Sequence, residues 1–338
     1  MSRSIFQNKR KRVQTRRVLL VCIAVLLVLA LAVGGFFLIK GLNKKDAPLD
    51  TQQPNTPSTD PADDPPTLDP VRELPADFIT RHTKAPRIAL YDVSAQTLLY
   101  SKNGDDVCAP ASLTKLMTAI VALENADLDT VITAGNELYL LDPESSRAGI
   151  YIGHQMTLKQ ALQGLLLKSG NDAAYVIAAQ LGHKMDASLS GQAAIDFFCQ
   201  KMTEKARELG CTHTTFRNPD GIDKAGHETT ANDLLKIALH ALKQPFIAET
   251  VATDEITTTF VSGQTKTWKN SNKLLQTDSG YAYFGAVGMK TGTTDGAGNC
   301  LISCATRDGR TVLCILLGAD KDSTRYNETI ELLNLGFF

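Results

Sequence analysis

The chain has 338 residues, with 35 lysines and arginines against 36 acidic residues and 43% hydrophobic residues. A formal net charge of −1 gives no overall basic excess of the kind that draws a protein to nucleic acid. No metal cluster or dinucleotide loop is legible either, so neither nucleic acid nor a cofactor is expected. The charge is unevenly spread, however. Residues 1–17 carry Arg3, Lys9, Arg10, Lys11, Arg12, Arg16 and Arg17 with no acid, and residues 18–39 carry no charge at all. Those 22 residues make a helix of about 33 Å, enough to cross a bilayer core. The basic excess precedes the apolar run. The expectation is therefore a single-pass transmembrane signal-anchor at 18–39, with 1–17 cytoplasmic and the rest outside the cell membrane. A cleaved secretion signal would carry the same charges, and Ala30-Leu31-Ala32 would suit its cleavage. The apolar run continues seven residues past Ala32, which favours the anchor.

Residues 40–77 form a linker. From residue 46 onward they are rich in proline and aspartate, poor in large apolar residues and without periodicity. Such a stretch cannot bury enough surface to offset the entropy of ordering it, and proline stiffens it into a spacer. Residues 78–338, about 260 residues, suffice for one substantial domain. Residues 87–100 read as two short strands around a turn. Helices are expected over 112–124, 157–170, 172–182, 190–210 and 229–244. Residues 300–307 and 310–318 flank Asp308-Gly309, a strong hairpin signal, and 326–338 read as a terminal helix. Strands at both ends with helices between predict an α+β fold, in which one antiparallel sheet with flanking helices carries an inserted all-helical lobe.

The cysteines are Cys22, Cys108, Cys199, Cys211, Cys300, Cys304 and Cys314. The six outside the apolar run permit disulfides without demanding them. In the Asp308-Gly309 hairpin a two-residue turn pairs Arg307 with Arg310, which sets Ser303 opposite Cys314 and Cys304 opposite Leu313. Cys304 and Cys314 then point to opposite faces. Cys300 and Cys304 share a face but lie too far apart along one strand to bond.

Three polar clusters do not suit packing. In "APASLTKLM", Ser112 and Lys115 share a helix face at i, i+3, so hydroxyl and amine can meet. A serine hydroxyl needs something to take its proton, and a lysine can do so when burial or nearby cations lower its pKa. A capping serine beside a snorkelling lysine is the alternative for this pair alone. Ser169-Gly170-Asn171, between two apolar helices, offers a hydroxyl, a flexible backbone and a carboxamide; capping is its bland alternative. In "GMKTGTTDGAGNC", just before the expected strand at 300, Lys290 could attract an anion, Thr291 offer a hydroxyl, Gly292 leave room for a ligand and Thr293 present an amide; a strand-edge turn is the bland alternative.

Taken together, Ser-x-x-Lys, Ser-x-Asn and Lys-Thr-Gly in this order resemble the signature of the penicilloyl-serine transferases. The blocks "LLLKSGNDAA", "FRNPDGID", "GHETTANDL" and "LLNLGF" strengthen a likeness, over roughly 85–338, to the low-molecular-weight penicillin-binding proteins of the serine-type D-alanyl-D-alanine carboxypeptidase family. The resemblance implies a β-lactamase/transpeptidase-like fold and a hydrolase of cell-wall peptidoglycan. That enzyme would remove the terminal D-alanine from stem pentapeptides through an acyl-serine, and would itself be acylated by β-lactam antibiotics. It further implies Ser112 as nucleophile, Lys115 as its base, Ser169 as proton relay and Asn171 as a contact for the substrate carbonyl. Lys290 and Thr291 would lie near the terminal carboxylate, and the amides of Ser112 and Thr293 would form the oxyanion hole beside Gly292.

The sequence also departs from the family pattern. Some members place an arginine shortly after the last strand, where this chain offers Asp320 and Lys321, with Arg325 further on at the expected start of the last helix; either Lys290 and Thr291 hold the carboxylate or a nearby cation substitutes. Many relatives continue into a small β-rich domain ending in an amphipathic anchor; the N-terminal span is expected to do that job here. A class A β-lactamase would position water with a Glu-x-x-x-Asn, but Glu137 and Glu144, shortly before Ser169, have no asparagine four residues on. A transpeptidase differs only in the acyl acceptor. A non-enzymatic wall-binding module would show a degraded site, whereas every motif residue is present.

Overall fold

The structure, a computed structural model, describes residues 83–338. The expected anchor at 18–39, the basic segment before it and the linker at 40–77 lie outside the described residues. Among the described residues no helix is long and apolar enough to cross a membrane.

Strands β1 (Arg87–Asp92) and β2 (Thr97–Lys102) open the fold, and β7 (Ala286–Thr294), β8 (Gly298–Arg307) and β9 (Arg310–Ala319) close it. They form one antiparallel sheet in the order β2-β1-β9-β8-β7. The terminal helix α7 (Asp322–Phe337) packs on this sheet. Alternation along β9 explains how the sheet serves two cores. Leu313, Ile315 and Leu317 face the core shared with the inserted helices, while Val312, Cys314 and Leu316 face Tyr326, Leu332 and Leu333 of α7.

The insertion holds α1 (Lys115–Asn125), α2 (Leu158–Leu167), α3 (Asn171–Met185), α4 (Gly191–Glu208), α5 (Ala231–Lys243) and α6 (Pro245–Ala252). Helix α1 is its axis and packs against α2, α3, α4 and α5. Every residue from Lys115 to Ala122 is buried, as expected of a helix apolar nearly all round. Truncating one of its anchors, Leu116→Ala, is expected to cost about 2–5 kcal/mol. The helix ends follow from local chemistry. Thr157 and Gln160 form a reciprocal capping box at α2, and Thr230 Oγ1 accepts from the Asp233 amide at α5.

Two expectations need correction. The insertion is not all helical, because β3 (Val131–Thr133) pairs with β4 (Gln155–Thr157) and β5 (Glu255–Thr259) pairs with β6 (Thr265–Lys269). The Lys-Thr-Gly segment precedes the expected strand, β8, but is no turn: it is itself strand, inside β7 at the sheet edge, where Thr291 pairs with Leu301 and Gly292 with Cys300.

Candidate active site

Ser112 sits in a 3-10 turn, Ala111–Thr114, that leads directly into α1 and packs against β7. Ala111 has a left-handed φ of 49°, unusual for a residue with a Cβ, so the chain bends sharply before the serine. Lys115, the first residue of α1, is fully buried. Its Nζ lies 2.8 Å from Ser112 Oγ and 2.6 Å from the Asp220 carbonyl oxygen. Burial lowers its pKa to about 8, against the opposing pull of Asp220 and Asp172.

The second cluster stands at the start of α3. Ser169 is buried at a left-handed φ of 58°, the bend that ends one helix and begins the next. Asn171 is also buried, and its Oδ1 finds no hydrogen-bond partner among the described residues. Asp172 accepts from the Ala148, Ile150 and Ala173 amides at 2.8 to 2.9 Å, which fixes the preceding loop against the helix start. Helix α3 packs against α1, which opens at Lys115, and the Asp172 charge opposes the lowering of the lysine pKa.

The third cluster supplies the opposite wall. Lys290 is fully buried and donates to the Thr291 carbonyl at 3.0 Å. Burial, with Lys115 and Arg325 nearby, pushes its pKa well below the ordinary lysine value. Thr291 Oγ1 lies 2.8 Å from Ser271 Oγ. Gly292 has no side chain for a steric reason: a Cβ there would stand 3.0 Å from the Ser112 amide nitrogen. Thr293, next along, is exposed.

A segment between α4 and α5, residues 217–224, completes the arrangement. Asn218 closes its turn, accepting from the Gly221 amide at 2.8 Å and donating to the Ile222 carbonyl at 2.7 Å. The Pro219 carbonyl accepts from Thr118 Oγ1 at 2.7 Å, and the Asp220 carbonyl receives Lys115. His227 is buried beside it. Its Nδ1 accepts from the Arg217 amide at 2.9 Å, so the proton sits on Nε2, which lies 3.0 Å from Thr114 Oγ1 and donates to it. Burial pushes its pKa down to about 4.

Arg325 stands in the first turn of the last helix, as the sequence suggests. It lies on α7, nearly buried, and its Nη1 donates to Thr293 Oγ1 at 2.9 Å and to the Gly292 carbonyl at 3.0 Å. The cation thus reaches the third cluster from a helix rather than from the loop after β9. Asp320 instead accepts from Thr324 Oγ1 at 2.7 Å, in the first turn of α7. A Glu-x-x-x-Asn spacing does occur between the second and third motifs, at Glu228 and Asn232, but Glu228 is exposed and Asn232 binds Asp105 at 2.8 Å. Glu137 closes its own turn by accepting from the Gly135 amide.

A half-buried serine on a fully buried lysine, faced by a Lys-Thr-Gly edge strand, is the chemistry of serine acyl transfer. Comparison with known proteins agrees. A family model described as D-alanyl-D-alanine carboxypeptidase matches residues 77–321. The D-alanyl-D-alanine carboxypeptidase of Streptomyces sp. (strain K15) is 35% identical over 250 residues, covering 71% of this chain and 83% of that one. D-alanyl-D-alanine carboxypeptidase DacF of Bacillus subtilis is 30% identical over 261 residues, covering 75% of this chain and 62% of the relative's length. Among solved structures, the Streptomyces K15 DD-transpeptidase superposes with a TM-score of 0.69 at 33% identity, covering 75% of this chain and 97% of that one. Penicillin-binding protein D2 of Listeria monocytogenes, solved in an ampicillin-bound form, superposes with a TM-score of 0.62 at 28% identity, covering 76% of this chain and 99% of that one. The chain belongs to the D-alanyl-D-alanine carboxypeptidase family and is a serine-type, penicillin-binding enzyme of it.

Proposed function

We propose that Ser112 is the acylated serine and that Lys115, as a neutral amine, takes its proton. The contact between Lys115 Nζ and Ser112 Oγ at 2.8 Å, in a site that depresses the lysine, carries this reading. Ser112 Oγ attacks the carbonyl of the penultimate D-alanine of a peptidoglycan stem peptide. The charge that develops on that oxygen meets the amides of Ser112 and Thr293. Ser169 returns a proton to the leaving D-alanine amine, and Asn171 offers its carboxamide to the acyl chain. Lys290, Thr291 and Arg325 supply the positive field and hydroxyls for the terminal carboxylate. Water then releases the shortened peptide and restores the serine. A β-lactam follows the first half of the same path and leaves the serine acylated.

The placing of this chemistry outside the cell membrane, on an anchor at 18–39, rests on the 22 uncharged residues and the basic segment before them. Protease added outside spheroplasts should then remove the large domain and leave a short protected fragment. A soluble mature form starting near Val33 would count against the anchor.

Transpeptidation is the second reading. The Streptomyces K15 protein is named a carboxypeptidase in one comparison and a DD-transpeptidase in the other, and only the acyl acceptor distinguishes the two reactions. The full-length enzyme should be given a pentapeptide ending in D-Ala-D-Ala, with and without an added amine. Free D-alanine and a tetrapeptide as the main products, with the amine present, support the carboxypeptidase. A predominant tetrapeptide–amine adduct supports the transpeptidase, and no D-alanine release in either case overturns both.

A further inference from the structure

The amide of Ser112 is held from two sides by glycines. A Cβ on Gly292 of β7 would lie 3.0 Å from it, and a Cβ on Gly221 would lie 2.9 Å from it. A Cβ on Gly221 would also stand 1.8 Å from the Ala111 carbonyl oxygen, so only glycine fits there, at its φ of 93°. The segment around Gly221 and the strand around Gly292 therefore both close on one amide. What fixes the gap between them is two residues further along each chain. Asp223 Oδ1 accepts from Thr294 Oγ1 at 2.7 Å, and Asp223 Oδ2 accepts from the Gly296 amide at 2.7 Å. Thr294 Oγ1 in turn accepts from the Ala297 amide at 3.1 Å, so the carboxylate ties down the whole β7–β8 turn. Gly296 is small for the same reason, since a Cβ there would sit 2.9 Å from Asp223 Oδ2.

We propose that Asp223 is a positioning residue for acyl transfer: it bolts the segment that carries the Asp220 carbonyl to the turn after Thr293, and so sets the spacing of the two oxyanion-hole amides. The proposal rests on the reading of Ser112 as the acylated serine. Asp223 is exposed, so its hydrogen bonds contribute little to global stability. Their effect is geometric. Oxyanion donors act only when aimed at where charge develops, and small misplacements are expensive in rate.

The test uses full-length protein and a chromogenic or fluorescent penicillin, with the limiting acylation rate constant expressed per titratable site. Asp223→Ala and Thr294→Val should each lower that constant about tenfold. The apparent penicillin affinity and the melting temperature should stay near wild type, because Asp223 is exposed and its loss opens no core contact. Asp223→Asn, which keeps one acceptor, should fall in between. The double variant Asp223→Ala/Thr294→Val should be no slower than Asp223→Ala alone, since loss of the carboxylate already breaks its bonds to both Thr294 and Gly296. A wild-type rate constant in Asp223→Ala, additive losses in the double variant, or a loss confined to the fraction of titratable protein would overturn the proposal. Wild-type protein that takes no adduct on Ser112 would overturn the underlying reading instead.

Discussion

Lys115 Nζ touches both Ser112 Oγ, at 2.8 Å, and the Asp220 carbonyl oxygen, at 2.6 Å. The carbonyl can only accept, so it takes an N–H from the amine whatever its charge. A neutral amine that donates there keeps a lone pair for the serine proton; an ammonium does not. With the lysine pKa lowered from 10.5 to about 8, the competent fraction rises with pH through that value. Acylation by penicillin should therefore fall about tenfold per pH unit below the limb. Lys115→Ala should lose acylation for want of a base, and Lys115→Arg should not restore it, because arginine stays charged. Ser112→Ala should remove the covalent mass altogether while the fold persists. An adduct mapped to Ser169, or an unchanged rate in Lys115→Ala, would sink this assignment.

Arg325 supports Thr293 from beneath and brings a fixed charge to the wall opposite the serine. If it serves the terminal carboxylate, its loss should depend on the substrate having one. Arg325→Gln should lower kcat/KM for a peptide ending in free D-alanine by about ten- to a hundredfold, the scale of a charge-assisted hydrogen bond. The same substitution should change little for the C-terminal amide of that peptide. Equal losses on both peptides would mean that Arg325 acts only through the shape of β7.

Much of this arrangement could be read from the chain because its signals are local. Ser112, Lys115, Ser169, Asn171 and Lys290 sit in short motifs, and the Asp308-Gly309 turn fixes its hairpin by itself. The pieces that escaped are non-local or lack a side-chain signature. The Asp220 contact is a main-chain oxygen 105 residues from Lys115 in sequence. Glycine-rich "GMKTGTT" has little strand character of its own and becomes a strand because β8 pairs with it. Strands β5, EITTT, and β6, TKTWK, turn only Ile256 and Trp268 toward the core as large apolar residues, too few for an apolar rhythm to mark them. Arg325 is legible at the start of the last helix, but nothing local marks the reach of its side chain back to β7.

The hairpin register also settles the sulfur chemistry at this end of the chain. Ser303 faces Cys314 and Cys304 faces Leu313, as the two-residue turn dictates. Cys300 and Cys304 look into the core shared with the helices, and Cys314 into the core under α7. Burial pushes the Cys304 thiol up to about 12 and that of Cys314 higher still, so neither is a thiolate at neutral pH. Iodoacetamide should label these three only after denaturation. Non-reducing peptide mapping should find no bond among them; such a bond would mean the strands are out of register.

His227 joins the Asp220 segment to the turn that carries Ser112, and it does so as a neutral ring. Its Nδ1 must accept the Arg217 amide, a task that protonation abolishes. The folded pKa is pushed from 6.5 to about 4, while the unfolded chain has the ordinary value. Between those values the unfolded state binds the extra proton and the folded state does not, so stability falls as pH drops from about 6.5 to 4. It is fully present above the unfolded pKa. The shift corresponds to about 3 kcal/mol at most across that window. His227→Gln keeps a donor that can reach toward Thr114 but cannot take this proton. The variant should be less stable than wild type at pH 7.5, because the Nδ1 contact is lost. The gap should narrow as pH falls toward 4, because only the wild type pays the protonation penalty. Urea unfolding at pH 7.5, 6, 5 and 4 measures both curves. A gap that stays constant with pH would show that His227 does not titrate between the folded and unfolded states in this window.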